Sequence, residues 1–97
     1  FKAQQLEFFK PDMEKFPCLA LAYDAIRQGG NMPCILNAAN EVANAAFRRG
    51  ECSFLGIAEI ISKTMTKTTF DAIPDLDIYL QTDSEARAIA TEILRNK

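Results

Sequence analysis

Residues 33–49, PCILNAANEVANAAFRR, carry the longest unbroken helical pattern in the chain, and the size of their side chains limits what can surround them. Spaced at about 100° per residue, Ile35, Leu36, Ala39, Val42, Ala43, Ala46 and Phe47 fall on one side, and Asn37, Asn40, Glu41, Asn44 and Arg48 on the other. Pro33 suits a first helical turn, where its missing N–H costs nothing. Arg48 and Arg49 put positive charge at the negative end of the helix dipole, just before Gly50 stops the helix. Ala38, Ala39, Ala43, Ala45 and Ala46 leave little side chain between this helix and its neighbours, so other helices can approach closely and most of them can touch it. The segment is therefore expected to be the central helix of its domain.

Asparagine is a mediocre helix former, because its amide competes for nearby backbone groups, yet Asn37, Asn40 and Asn44 lie on one stripe of this helix. Two readings follow. The stripe is a solvated polar face, or its amides, which offer donors and acceptors, bond to loop backbone lying across the helix. Glu41 on the same face reads as a member of a salt-bridged or interdomain surface rather than as a general base.

The chain of 97 residues is long enough for one small domain and not for two. A chain of that length buries roughly two-thirds of the surface its unfolded form exposes, so a single core needs no metal or disulfide staple. A net charge of −2 with scattered Lys and Arg gives no basic stripe able to follow a phosphate backbone, which argues against nucleic acid as a partner. Cys18, Cys34 and Cys52 are an odd set with no CxxC pair and no histidine to complete a zinc site. They read as reduced thiols packed as small apolar groups, with Cys18 and Cys34 near helix starts, where a dipole can lower a thiol pKa. No apolar run approaches the roughly twenty residues that cross a bilayer, and the charges in residues 1–15 do not suit a signal peptide. A cytoplasmic protein with no membrane partner is expected.

Around the central segment, three further helices are predicted. Residues 17–28 start on Pro17, carry Cys18, Leu19, Ala22, Ala25 and Ile26 as an apolar stripe, and end at Gly29-Gly30. The short link to residue 33 makes the first two helices antiparallel neighbours, with Asn31 as N-cap of the second. Residues 56–67 form a third, preceded by an extended piece over 51–54 and fraying from Thr66 because Thr64, Thr66, Thr68 and Thr69 are weak helix formers. The threonine cluster reads as a helix-to-loop transition rather than a phosphate site. In residues 71–81, Leu76, Ile78 and Leu80 alternate with Asp75, Asp77 and Tyr79, which suggests an extended segment. Asp71, Asp75 and Asp77 lack the glycine and closing glutamate of a calcium loop. Thr82-Asp83-Ser84-Glu85 has the form of a capping box, opening a last helix over 83–96. The class is all-α: a small four-helix bundle-like domain over 17–97, preceded by an extended connecting arm over 1–16. Its expected core is Leu19, Ala22, Ile26, Leu36, Ala39, Ala43, Phe47, Ile57, Ile60, Ile61, Ile89 and Ile93.

Within residues 16–47, PCLALA, a glycine-containing break, LNAANE and AAF occur in that order, and this segment closely resembles the start of the C-terminal helical domain of the 1-deoxy-D-xylulose 5-phosphate reductoisomerase family. The family pattern reads YPCLxLAxxA followed by LNAANExxVxAF, and Asn44 stands here where that pattern has Val. Weaker likeness continues through 54–65 and from Asp83 onward. The resemblance implies the third part of an enzyme whose other domains bind NADPH and a divalent cation (Mg or Mn), form a homodimer, and make 2-C-methyl-D-erythritol 4-phosphate for isoprenoid precursors. It also implies that residues 1–16 arrive from the catalytic domain, which would be this domain's partner; the start on Phe1, without Met, agrees with a piece of something longer.

The chain itself offers no glycine loop opening a helix for a dinucleotide and no acidic triad at metal-ligand spacing. No catalytic, cofactor-binding or metal residue is assigned, and the fragment alone is expected to be inactive. Asn37, Asn40, Glu41 and Asn44 are the residues expected to serve a structural or interdomain role. The alternative is a free-standing helical module whose aromatic arm and asparagine stripe bind a protein partner.

Overall fold

The alanine-rich segment is helical from Met32 to Arg48 in the computed structural model, which describes residues 17–96. Among the described residues it is the second of four helices: α1 (Pro17–Gln28), α2 (Met32–Arg48), α3 (Phe54–Lys67) and α4 (Leu76–Arg95). No strand occurs among the described residues, so the all-α class holds. The arm expected over residues 1–16 lies outside them.

α2 packs against all three of these other helices, while α3 also meets α1 and α4, and among the described residues α1 and α4 do not pack together. The cause is the one read from the sequence: Ala38, Ala39, Ala43 and Ala46 are fully buried, and a methyl group lets neighbouring backbones close in on three sides. At its end, Gly50 takes φ 75°, Glu51 N–H donates to Ala46 O at 2.8 Å and Gly50 N–H to Phe47 O at 3.0 Å. This left-handed glycine stop satisfies two carbonyls that the helix leaves open.

The core differs from the expected list in its share of alanine. Ala39, Ala43, Ile57, Ile60, Ile61 and Ile93 are buried as expected, joined by Ala25, Met32, Ile35, Ala38, Ala46, Met65, Ala86 and Ala90. Leu19, Ala22, Leu36 and Ile89 are only partly covered, and Ile26 and Phe47 are exposed. α1 presents Cys18 and Ala25 of its predicted stripe inward together with Leu21, while Ile26 of that stripe faces solvent.

α4 begins seven residues before the predicted start at Asp83, and residues 76–81 are helix rather than an extended segment. Asp75 is its N-cap: the carboxylate accepts from Ile78 N–H at 2.9 Å. Leu76, Ile78 and Leu80 alternate, but Ile78, Thr82, Ala86, Ala90 and Ile93 also repeat every three or four positions, and that period faces the core. Thr82, Asp83 and Glu85 consequently make tertiary or side-chain ties within the helix body instead of capping it.

α3 begins at Phe54 rather than Gly56, because Ser53 caps it by accepting from Gly56 N–H at 3.0 Å. Its threonines do not fray the end. Thr64, Thr66 and Thr68 each return their hydroxyl to the carbonyl four residues earlier, at 2.7, 3.1 and 2.7 Å.

Between α1 and α2 the link is three residues long, and it is pinned. Gly30 has φ 57°, and a Cβ there would collide with the Asp71 carbonyl oxygen and lie 2.9 Å from Ala72 Cα. Asn31 holds the N-cap position, yet its side chain makes no cap hydrogen bond. Its amide instead donates to Thr69 O at 3.0 Å and Thr82 Oγ1 at 2.9 Å, its Oδ1 accepts from Asp71 N–H at 2.8 Å, and its own N–H donates to Asp71 O at 2.9 Å. One buried asparagine thus fastens the start of α2 to the α3–α4 loop and to α4.

Candidate functional site

The four residues expected to serve a structural or interdomain role all lie on the outer face of α2. Asn44 Nδ2 donates to Asn40 O at 2.8 Å and to Asn40 Oδ1 at 2.7 Å, and Asn37 Nδ2 donates to Glu41 Oε2 at 3.4 Å. Among the described residues, then, the amides bond along their own helix and not to a crossing loop. Asn37 and Asn40 are exposed and Asn44 half-buried.

Glu41 reaches further. Its Oε1 accepts from Arg87 Nη2 at 2.7 Å across the α2–α4 contact, and Arg87 Nε donates to Asp83 Oδ2 at 2.9 Å. Hydrogen bonds to Asp83 and then Glu41 push the Arg87 guanidinium further above its already high pKa, fixing it as a cation. The partners are 40–54% exposed, so solvent screening leaves the cluster worth about 1 kcal/mol or less; its effect is to orient side chains. Asn40, Glu41, Asn44, Arg48, Arg87 and Thr91 line an open groove between the two helices. The separation of Glu41 and Arg87 in sequence hid this tie from sequence reading.

The cysteines take the apolar role. Burial pushes the Cys18 and Cys34 thiols up; for Cys34 the Asp83 carboxylate adds to this and Arg87 opposes it. Cys34 Sγ donates to Tyr79 O and Cys52 Sγ to Ala43 O, each at 3.7 Å. Asp71 and Asp75 spend a carboxylate oxygen on Ile73 N–H and Ile78 N–H, and no three His, Cys, Asp or Glu side chains among the described residues gather to hold a metal ion.

A surface that sequence reading missed lies at the start of α4. Ile73, Leu76 and Leu80 are 89%, 72% and 63% exposed, and Tyr79 beside them is 40% exposed. Along the helix, Leu76, Leu80, Asp83 and Arg87 follow one another at spacings of four, three and four, so the apolar stripe runs directly into the Arg87 cluster. The signal was present in the 76/80 spacing behind a Pro-Asp cap. A second exposed apolar group, Phe47, Phe54 and Leu55, sits at the α2–α3 junction, where the two phenylalanine rings meet edge to face with centroids 6.0 Å apart.

A family profile described as the DXP reductoisomerase C-terminal domain matches residues 1–89. The chain belongs to that family. Curated reductoisomerases agree: the 1-deoxy-D-xylulose 5-phosphate reductoisomerase of Bacteroides thetaiotaomicron is 55% identical over 89 residues, covering 92% of this chain and 23% of its own length. That of Nitrosomonas europaea is 48% identical over 94 residues, covering 97% and 23%. Among solved structures, the reductoisomerase from Zymomonas mobilis in complex with NADPH matches with a TM-score of 0.83 at 42% identity, over 90% of this chain and 23% of that one. This DXP reductoisomerase C-terminal domain therefore spans about a quarter of the length of the relatives it matches, and the resemblance carried by residues 16–47 is borne out. Among its described residues no helix is long and apolar enough to cross a membrane.

Proposed function

We propose that this chain is the C-terminal helical part of a cytoplasmic, homodimeric reductoisomerase that uses NADPH and a divalent cation to convert 1-deoxy-D-xylulose 5-phosphate to 2-C-methyl-D-erythritol 4-phosphate. In this reading residues 1–16 connect it to the catalytic domain, and residues 17–97 brace that domain without supplying a reacting group. The observation that supports it best is the fit of nearly the whole described fold onto about a quarter of an NADPH-complexed reductoisomerase. In this reading the metal and the nicotinamide belong to the remainder of the enzyme.

The polar face of α2 has a defined part in this reading. Glu41, held by Arg87, and the paired Asn40 and Asn44 present fixed donors and acceptors toward the neighbouring domain, with Asn37 at their edge. Two measurements test the reading. Deleting the domain from the intact enzyme lowers activity or melting temperature; full retention of both overturns the bracing role. Calorimetric titration of the 97-residue chain with NADPH gives no saturable heat; saturable binding would give this domain a cofactor site and overturn the assignment.

A further inference from the structure

Resting on the reductoisomerase reading above, we propose that Ile73, Leu76, Tyr79 and Leu80 form the surface by which this domain docks onto the remainder of the reductoisomerase chain, against an apolar patch bordered by lysine or arginine. Single exposed apolar residues are ordinary, but here three large ones exposed by 63–89% stand together with Tyr79 at one end of one helix. The stripe passes without a break into Asp83, Arg87 and Glu41, giving the sequence of apolar centre and ion-paired polar edge that protein interfaces have.

Charge selects the occupant. Asp75 and Asp77 are exposed within and beside the stripe, and neither has a Lys or Arg within ion-pair distance among the described residues. A partner bordered by cations complements them. A second copy of the same surface would set these carboxylates against one another, and an anionic lipid surface would repel them. The relatives, of which this chain spans about 23%, carry more than enough further chain to provide the opposing patch.

The test is hydroxyl-radical footprinting of Leu76, Tyr79 and Leu80 in the 97-residue chain and in the intact enzyme. Labelling that is fast in the short chain and severalfold slower in the intact enzyme supports the proposal. Equal labelling in both overturns it, whether all three residues are open or all three are protected, the latter meaning that a second copy or the short chain itself covers them. The variant Leu76→Gln/Leu80→Gln should leave the melting temperature of the short chain unchanged and lower that of the intact enzyme; no change in the intact enzyme overturns the proposal. Asp77→Lys should speed labelling of the stripe in the intact enzyme at low salt, and unchanged labelling overturns the cationic border. Reductoisomerase activity of the unmodified intact protein is measured separately: its absence removes the functional reading, while differential labelling would still establish the docking surface.

Discussion

The Asn31 side-chain amide donates to Thr82 Oγ1 at 2.9 Å in the domain interior, joining residues 51 positions apart. The same amide holds Thr69 O, and its oxygen holds Asp71 N–H. Replacing Asn31 with Ala strands three partners at once, buried Thr82 among them, and should cost about 3 kcal/mol of unfolding free energy in a denaturant titration. Thr82→Val removes one acceptor and should cost about 1 kcal/mol. A loss below half a kilocalorie for Asn31→Ala would show that the tie is not what fastens the loop.

Gly29 and Gly30 both have positive φ, but only Gly30 lies against another backbone. Gly29→Ala should cost about 1 kcal/mol, the ordinary penalty for a left-handed alanine. Gly30→Ala also drives a methyl into the Asp71–Ala72 backbone and should cost about 3 kcal/mol or more. Thermal melts of the two variants side by side check the difference, and equal melting temperatures would contradict it.

Ala43 is fully buried on α2, and Glu59 is on the exposed face of α3. Ala43→Leu should destabilise by roughly 1–3 kcal/mol through overpacking, and Glu59→Gln by less than about half a kcal/mol. Chemical denaturation of both variants decides it; a leucine variant as stable as the parent would mean that the helix contacts around Ala43 are loose.

Cys18 and Cys34 have thiols whose pKa burial raises. The folded chain therefore keeps these protons at a pH where unfolded thiols have lost them. Their contribution to stability is full below the unfolded thiol pKa and disappears as pH rises through the higher folded value. Reaction with a thiol reagent at mildly alkaline pH should be slower in the folded chain than in denaturant. Equal rates would place both thiols in open solvent.

How much of this was legible beforehand varied with the residues. Pro17, the Gly29-Gly30 break and the alanine pattern marked α1 and α2 within a residue or so, because each signal acts locally. The start of α4 was hidden by Leu76, Ile78 and Leu80, whose alternation suits a strand as well as the inward Ile78–Thr82 spacing suits a helix, and only packing against α2 and α3 chooses between them. Asn31 was read correctly in position and wrongly in use, since its partners lie 38 to 51 residues away. The asparagine and glutamate face was visible as a pattern, whereas Arg87 and the stripe beside it depended on a helix start that the sequence left ambiguous.

Among the described residues, α1 packs against α2 and α3 and not α4, and Ala25 is the one residue of α1 that is fully buried in the core. The Asn31 ties begin just past its end, beyond Gly29 and Gly30. α1 can therefore lift away while α2, α3 and α4 keep their mutual contacts and their buried hydrogen bonds. The domain has two tiers of opening: backbone amides of α1 should exchange with deuterated solvent through a partial release, and those around Ala39 and Ile60 only through global unfolding.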